Sequence, residues 1–79
     1  MPKRIAIHHF GPLRDARGCS DEAVSTEAAT PRELYAELGL EAAFPLSGLR
    51  AAVNDAFATW DAPLSDGDRV VFLAPSSGG

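Results

Sequence analysis

The hydrophobic positions of this chain recur with two different periods. Over residues 4–10 the run Arg-Ile-Ala-Ile-His-His-Phe alternates, which predicts a first strand with Ile5, Ile7 and His9 on one face and Ala6, His8 and Phe10 on the other. Gly11-Pro12 breaks it, and a loop is expected to follow. Residues 21–28 alternate again, as in a second, partly exposed strand. The period then changes. Thr30 reads as a helix cap, Pro31 as the first helical residue and Glu33 as the reciprocal capping partner, so the spacing predicts a helix to about Leu38. Leu34 and Leu38 share its apolar face, and Gly39 is the stop. Residues 41–48 show no period. Strand patterns return over residues 49–54 and 56–60, with Asn54-Asp55 as a tight turn between them. Residues 61–68 are dense in turn formers and include Asp66-Gly67, and the apolar run over residues 69–74 is the last strand.

The predicted order is β-β-α-β-β-β with one main helix. The first and last strands are the most apolar, so they are expected side by side and parallel at the centre of a mixed sheet that wraps the helix. That is an α+β arrangement of the β-grasp, or ubiquitin-like, kind. Seventy-nine residues suffice for one domain, read here as residues 1–74, with residues 75–79 as an extended tail. A domain of this size buries only a little over ~60% of its unfolded surface, so its core is small.

Composition narrows the function classes. The hydrophobic share of 46% is that of a globular protein rather than a disordered one. A net charge of −4 speaks against nucleic acid, whose phosphates call for a basic face. No run approaches the ~20 apolar residues of a membrane span, and Met1-Pro2-Lys3-Arg4 leads straight into the strand pattern without a signal-peptide apolar region. The expectation is a soluble, cytoplasmic protein. Cys19 is the only cysteine and reads as a loop thiol beside Arg17. His8 and His9 are adjacent on a strand, point to opposite faces and are not expected to share a metal. Asp66 and Asp68 lack the remaining ligands of a calcium loop. Tyr35 and Trp60 read as packing residues. No nucleophile–base set and no phosphate-cradling loop stands out, so any chemistry is expected to depend on partners.

Two features suggest what the partners meet. With Val70 and Phe72 turned into the core, Val71 and Leu73 point outward by the period of two, Phe10 does the same, and Phe57 lies on a neighbouring short strand. Four apolar side chains on one outer face would form a patch that wants covering, with Arg14 available for a rim ion pair. The second feature is the ending Pro75-Ser76-Ser77-Gly78-Gly79. A carboxylate on two glycines is unhindered and can thread a narrow site. Five extended residues reach about 17 Å at roughly 3.3–3.6 Å each.

Leu49-Arg50-Ala51-Ala52-Val53-Asn54, then Trp60-Asp61-Ala62-Pro63-Leu64-Ser65-Asp66-Gly67-Asp68, then Val70-Val71-Phe72-Leu73-Ala74-Pro75, then Gly78-Gly79 resembles the MoaD/ThiS family of sulfur carriers. Phe10-Gly11-Pro12-Leu13-Arg14-Asp15 adds to the likeness, which points most to the molybdopterin synthase branch. Serines before the two glycines, where such carriers often have a branched residue, depart from the pattern. The resemblance implies that an E1-like (MoeB-like) enzyme uses ATP and Mg²⁺ to adenylate Gly79, and that a sulfur donor protein converts it to a thiocarboxylate. That sulfur would then pass to a pterin precursor in a MoaE-like large subunit. It implies no bound cofactor and no catalysis by the chain alone. Phe10, Phe57, Val71, Leu73, Pro75, Gly78 and Gly79 would meet the partners. Three other readings stay open: sulfur carriage for thiamine thiazole or cysteine synthesis, modification of lysines through Gly79, and a plain interaction module.

Overall fold

The computed structural model describes residues 2–73. Its elements in order are β1 (Lys3–His9), α1 (Gly11–Arg17), β2 (Asp21–Thr26), α2 (Pro31–Leu38), a 3₁₀ turn (Leu46–Gly48), β3 (Arg50–Val53), β4 (Ala56–Ala58) and β5 (Arg69–Leu73). The five strands form one sheet in the order β2-β1-β5-β3-β4. β1 and β5 pair in parallel and the other neighbours are antiparallel. This is the expected β-grasp sheet, with β5 at its centre.

Alternation decides what lies beneath it. Ile5, Ile7 and His9 of β1, Ala51 of β3 and Val70 and Phe72 of β5 point to one side and are buried. Leu34 and Tyr35 of α2 and Leu13 of α1 close over them. Tyr35 packs edge-on against Phe72 and Trp60 stacks on it, which makes both aromatics packing residues as expected. The α2 cap is as predicted on one side: Thr30 Oγ1 accepts from the Glu33 amide at 3.2 Å. The return bond differs, because Glu33 Oε1 accepts from the Ala29 amide rather than from Thr30. Gly39 ends the helix in the left-handed conformation.

The largest departure follows β1. Residues 11–17, expected as loop, form helix α1. Pro12 stands at its start, where a missing amide is harmless, and Gly11 takes a positive φ of 54° that turns the chain off β1 without a Cβ clash. No side chain caps this helix, and the buried Leu13 ties it to the core. The strand ends are also shorter than their patterns. β1 stops at His9, β2 at Thr26 and β4 at Ala58, because pairing with a neighbour, not alternation, ends a strand.

Candidate functional site

The residues that carry the motifs Val-Asn and Asp-Gly-Asp turn out to hold the sheet's register. Asn54 and Asp55 both have positive φ, the geometry of a two-residue hairpin turn between β3 and β4. Asn54 Oδ1 accepts from the Arg69 amide at 3.0 Å, and its Nδ2 donates to Asp68 Oδ1 at 2.9 Å. Asp68 Oδ2 accepts from the Ser65 amide at 2.8 Å, while Asp66 Oδ1 accepts from the Arg4 amide at 2.7 Å. Gly67, at φ 88°, donates its amide to the Arg4 carbonyl. These bonds tie the turn to the beginnings of β1 and β5. A slip of β5 by one residue would exchange its inner and outer side chains.

With that register set, one row of outward-facing residues crosses the whole sheet. Asp21 pairs with His8, His8 with Val71, Val71 with Ala52 and Ala52 with Phe57. Leu73 lies one step further along β5, opposite Arg50. Phe10, just past β1, sets its ring edge-on against His8 at a centroid distance of 4.3 Å. Together Phe10, Phe57, Val71 and Leu73 line a shallow depression of about 300 Å³ with His8, Ala52, Asp55 and Arg69. Phe57 is 72% and Phe10 50% exposed, the two large apolar side chains left open among the described residues. Val71 faces outward as predicted but is only 9% exposed, since neighbours in its row cover it. Four of the expected partner residues are therefore brought to one surface. Pro75, Gly78 and Gly79, and with them the tail read over residues 75–79, lie outside the described residues.

Charged groups frame this surface. His8 Nδ1 lies 2.6 Å from Asp21 Oδ1, and Arg69 Nη1 lies 3.3 Å from Asp55 Oδ1. The hydrogen bond from His8 holds the Asp21 carboxyl below its ordinary range. Alternation alone shows only that His8 faces away from His9. What marks it is its place in the row, which depends on strand order.

Behind the sheet, His9 is buried with Nε2 2.7 Å from Glu22 Oε2. Arg17 holds the same carboxylate with two bonds, at 2.8 and 2.7 Å. The Arg17 bonds, with help from His9, bring the Glu22 carboxyl down to about 2 against its burial. Arg17 is thus committed to Glu22 rather than to Cys19. Arg14, expected at the rim, forms no ion pair among the described residues.

Residues 7–79 match the ThiS family. The chain belongs to that family of ubiquitin-like sulfur carriers. No curated protein matches its sequence. Solved structures agree on the fold. A putative molybdopterin converting factor subunit 1 from Pyrococcus furiosus superposes with a TM-score of 0.74 at 23% identity, over 94% of this chain and 99% of that one. Small archaeal modifier protein 1 from Methanosarcina acetivorans gives 0.74 at 18% identity, over 100% and 99%. A complex of subunits 1 and 2 of the molybdopterin-converting factor from Helicobacter pylori 26695 contains a chain 26% identical, with a TM-score of 0.61 over 96% and 99%. The ThiS-family fold explains why the open surface lies on the helix-free side of the sheet. Both helices are spent on the other side, and β5, at the sheet's centre, carries Val71 and Leu73 across it. Among the described residues no helix is long and apolar enough to cross a membrane.

Proposed function

We propose that this ThiS-family protein is the sulfur-donating small subunit of a molybdopterin synthase. The observation that carries the reading is the apolar surface of Phe10, Phe57, Val71 and Leu73 on the open face of the sheet, at the end of β5 from which the chain runs on to Gly78-Gly79. The Helicobacter pylori likeness, a converting-factor subunit pair, supports a large, MoaE-like subunit as the body that covers it. Bulky apolar side chains in the middle of such a contact carry most of its energy.

In this reading the chain supplies a handle and an acyl group. An E1-like, MoeB-like enzyme with ATP and Mg²⁺ converts the Gly79 carboxylate into an acyl-adenylate and releases pyrophosphate. A sulfide equivalent from a sulfur donor protein displaces AMP and leaves a thiocarboxylate. The folded body docks on the large subunit, Pro75 and Gly78 lead the tail into its site, and the sulfur passes to a pterin precursor. Hydrolysis then returns Gly79 to a carboxylate for another round. Glycine suits the end of such an arm because it adds no Cβ to a narrow channel.

The test is reconstitution. The chain is incubated with ATP, Mg²⁺, an activating enzyme and a sulfur source, and intact mass should rise by the difference between one sulfur and one oxygen atom. The charged chain plus large subunit and precursor should then yield molybdopterin. A verified thiocarboxylate that yields none rejects this branch in favour of another sulfur-transfer pathway. Reductant-resistant conjugates on lysines would point instead to protein modification. Undiminished activity with an uncleaved residue appended after Gly79 would reject sulfur carriage altogether.

A further inference from the structure

We infer that β4 is a self-association edge: two copies of this chain join β4 to β4, antiparallel, across a two-fold axis, with Phe57 opposite Phe57 of the second copy. The backbone decides which groups are offered. The Asn54 amide donates to the Arg69 carbonyl, so the even-numbered residues of β3 turn their backbone groups to β5. Ala51 and Val53 therefore bond to Ala58 and Ala56 of β4. Phe57, between those two, points its N–H and C=O away from β3 and out of the sheet edge. Neither group bonds to a described residue.

The two edges of the sheet differ. β2 carries Asp21 and Glu22, charges of the kind that discourage an added strand. β4 reads Ala-Phe-Ala, without charge or proline, and its phenylalanine is largely exposed. A second copy fits this edge because the edge is self-complementary. A residue offering both N–H and C=O exchanges both bonds with its own symmetry mate, as in the hydrogen-bonded pair of an antiparallel ladder. The two Cα atoms then lie about 5.5 Å apart, with both rings on the outer face. The outward row Val71, Ala52, Phe57 runs on into Phe57, Ala52 and Val71 of the second copy. Side-chain charge is complementary as well. Arg50 forms no ion pair among the described residues, and Asp55 is 81% exposed beside Arg69. With Phe57 on the axis, Asp55 of one copy comes opposite Thr59 of the other, and one further step of the β3–β4 register sets Thr59 opposite Arg50. Arg50 and the second copy's Asp55 are thus two strands apart, about 10 Å between backbones at about 4.8 Å per strand, which the two side chains can span. The net charge of −4 on each copy opposes the contact only weakly at physiological salt, where the Debye length is about 8 Å. Three residues from each copy make a short joint, so the association is weak and reversible. A dimer hides Phe57 and so competes with the large subunit of the proposed complex, but it does not depend on that reading.

The experiment is a concentration series of the full chain up to about 1 mM, enough to register a Kd of about that size or tighter. Sedimentation follows the mass, and NMR follows exchange of the Phe57 amide. The mass should move towards that of a dimer as concentration rises, and the Phe57 amide should exchange more slowly. Phe57→Ala removes the ring but keeps the N–H, and should weaken the dimer by up to about tenfold. Phe57→Pro also removes the N–H, at an edge position where proline is tolerated, and should abolish the dimer. Arg50→Glu should weaken it while leaving the core untouched. Circular dichroism checks that each variant folds, and if the proline variant does not, wild-type exchange and Arg50→Glu still decide. A chain that stays monomeric up to about 1 mM, or a dimer that a folded Phe57→Pro leaves intact, overturns the inference. So does a Phe57 amide protected only when large subunit is added, which would assign the edge to that partner. None of these outcomes touches the small-subunit reading, which stands or falls on molybdopterin formation.

Discussion

Glu22 shows how much one side chain can be asked to hold. It sits on the core side of the edge strand β2, yet Arg17 of α1 and His9 of β1 both bond to it, so a single carboxylate joins three elements. Its pKa falls from 4.5 to about 2, so the folded state binds its proton less readily than the unfolded one. The resulting stabilisation is fully present above about pH 4.5 and is lost as pH falls towards about 2. Unfolding free energy measured in urea between pH 5 and 2 should decline over that window, by at most about 3 kcal/mol from this group. Glu22→Gln should be less stable at pH 7 and flatter below it. Thr30 presents a smaller case of the same kind. Its Oγ1 caps α2, and Thr30→Ala should cost about 1 kcal/mol in a denaturant titration.

At the scale of elements, legibility followed from where each signal resides. Helix α2 was readable because its cap, its proline start, its apolar spacing and its glycine stop all lie within residues 30–39. The strands were readable because alternation is local, although their ends were not. Helix α1 was missed because its local signals are poor: Gly11-Pro12 reads as a break, no side chain caps it, and seven residues are too few to be helical alone. Leu13 beneath it and Arg17 on Glu22 make it helical, and both depend on contacts with other elements. Leu13→Ala should therefore cost about 2–5 kcal/mol of global stability, as for other buried leucines. The loss would be read as a lower urea midpoint with an unchanged slope. The Asp-Gly-Asp turn was legible as a turn. Its second task, bonding to Arg4 and Asn54 across the sheet, appears only once β1, β3 and β5 lie side by side.

For the whole molecule, fold and docking are separable. Phe57 contributes little to the core, being 72% exposed, so Phe57→Ala should leave the thermal midpoint nearly unchanged. In the proposed complex it should weaken large-subunit binding about tenfold or more, measured by calorimetry, as expected for a central aromatic anchor. Deleting Gly78 and Gly79 should do the reverse: binding of the body persists while the thiocarboxylate, followed by intact mass, disappears.

By itself the amino-acid sequence determined the parallel pairing of the apolar first and last strands, the central helix with its cap, the two-faced split of His8 and His9, and the four apolar residues turned outward. All of these follow from period, propensity and turn chemistry, which act over a few residues. Tertiary structure decided that Asp21, His8, Val71, Ala52 and Phe57 form one continuous row, that the Asp21 carboxylate lies 2.6 Å from the His8 ring, and that residues 11–17 are helical. The physical reason is that register and strand order bring together residues as distant in the chain as His8 and Val71, and no local pattern records such a meeting.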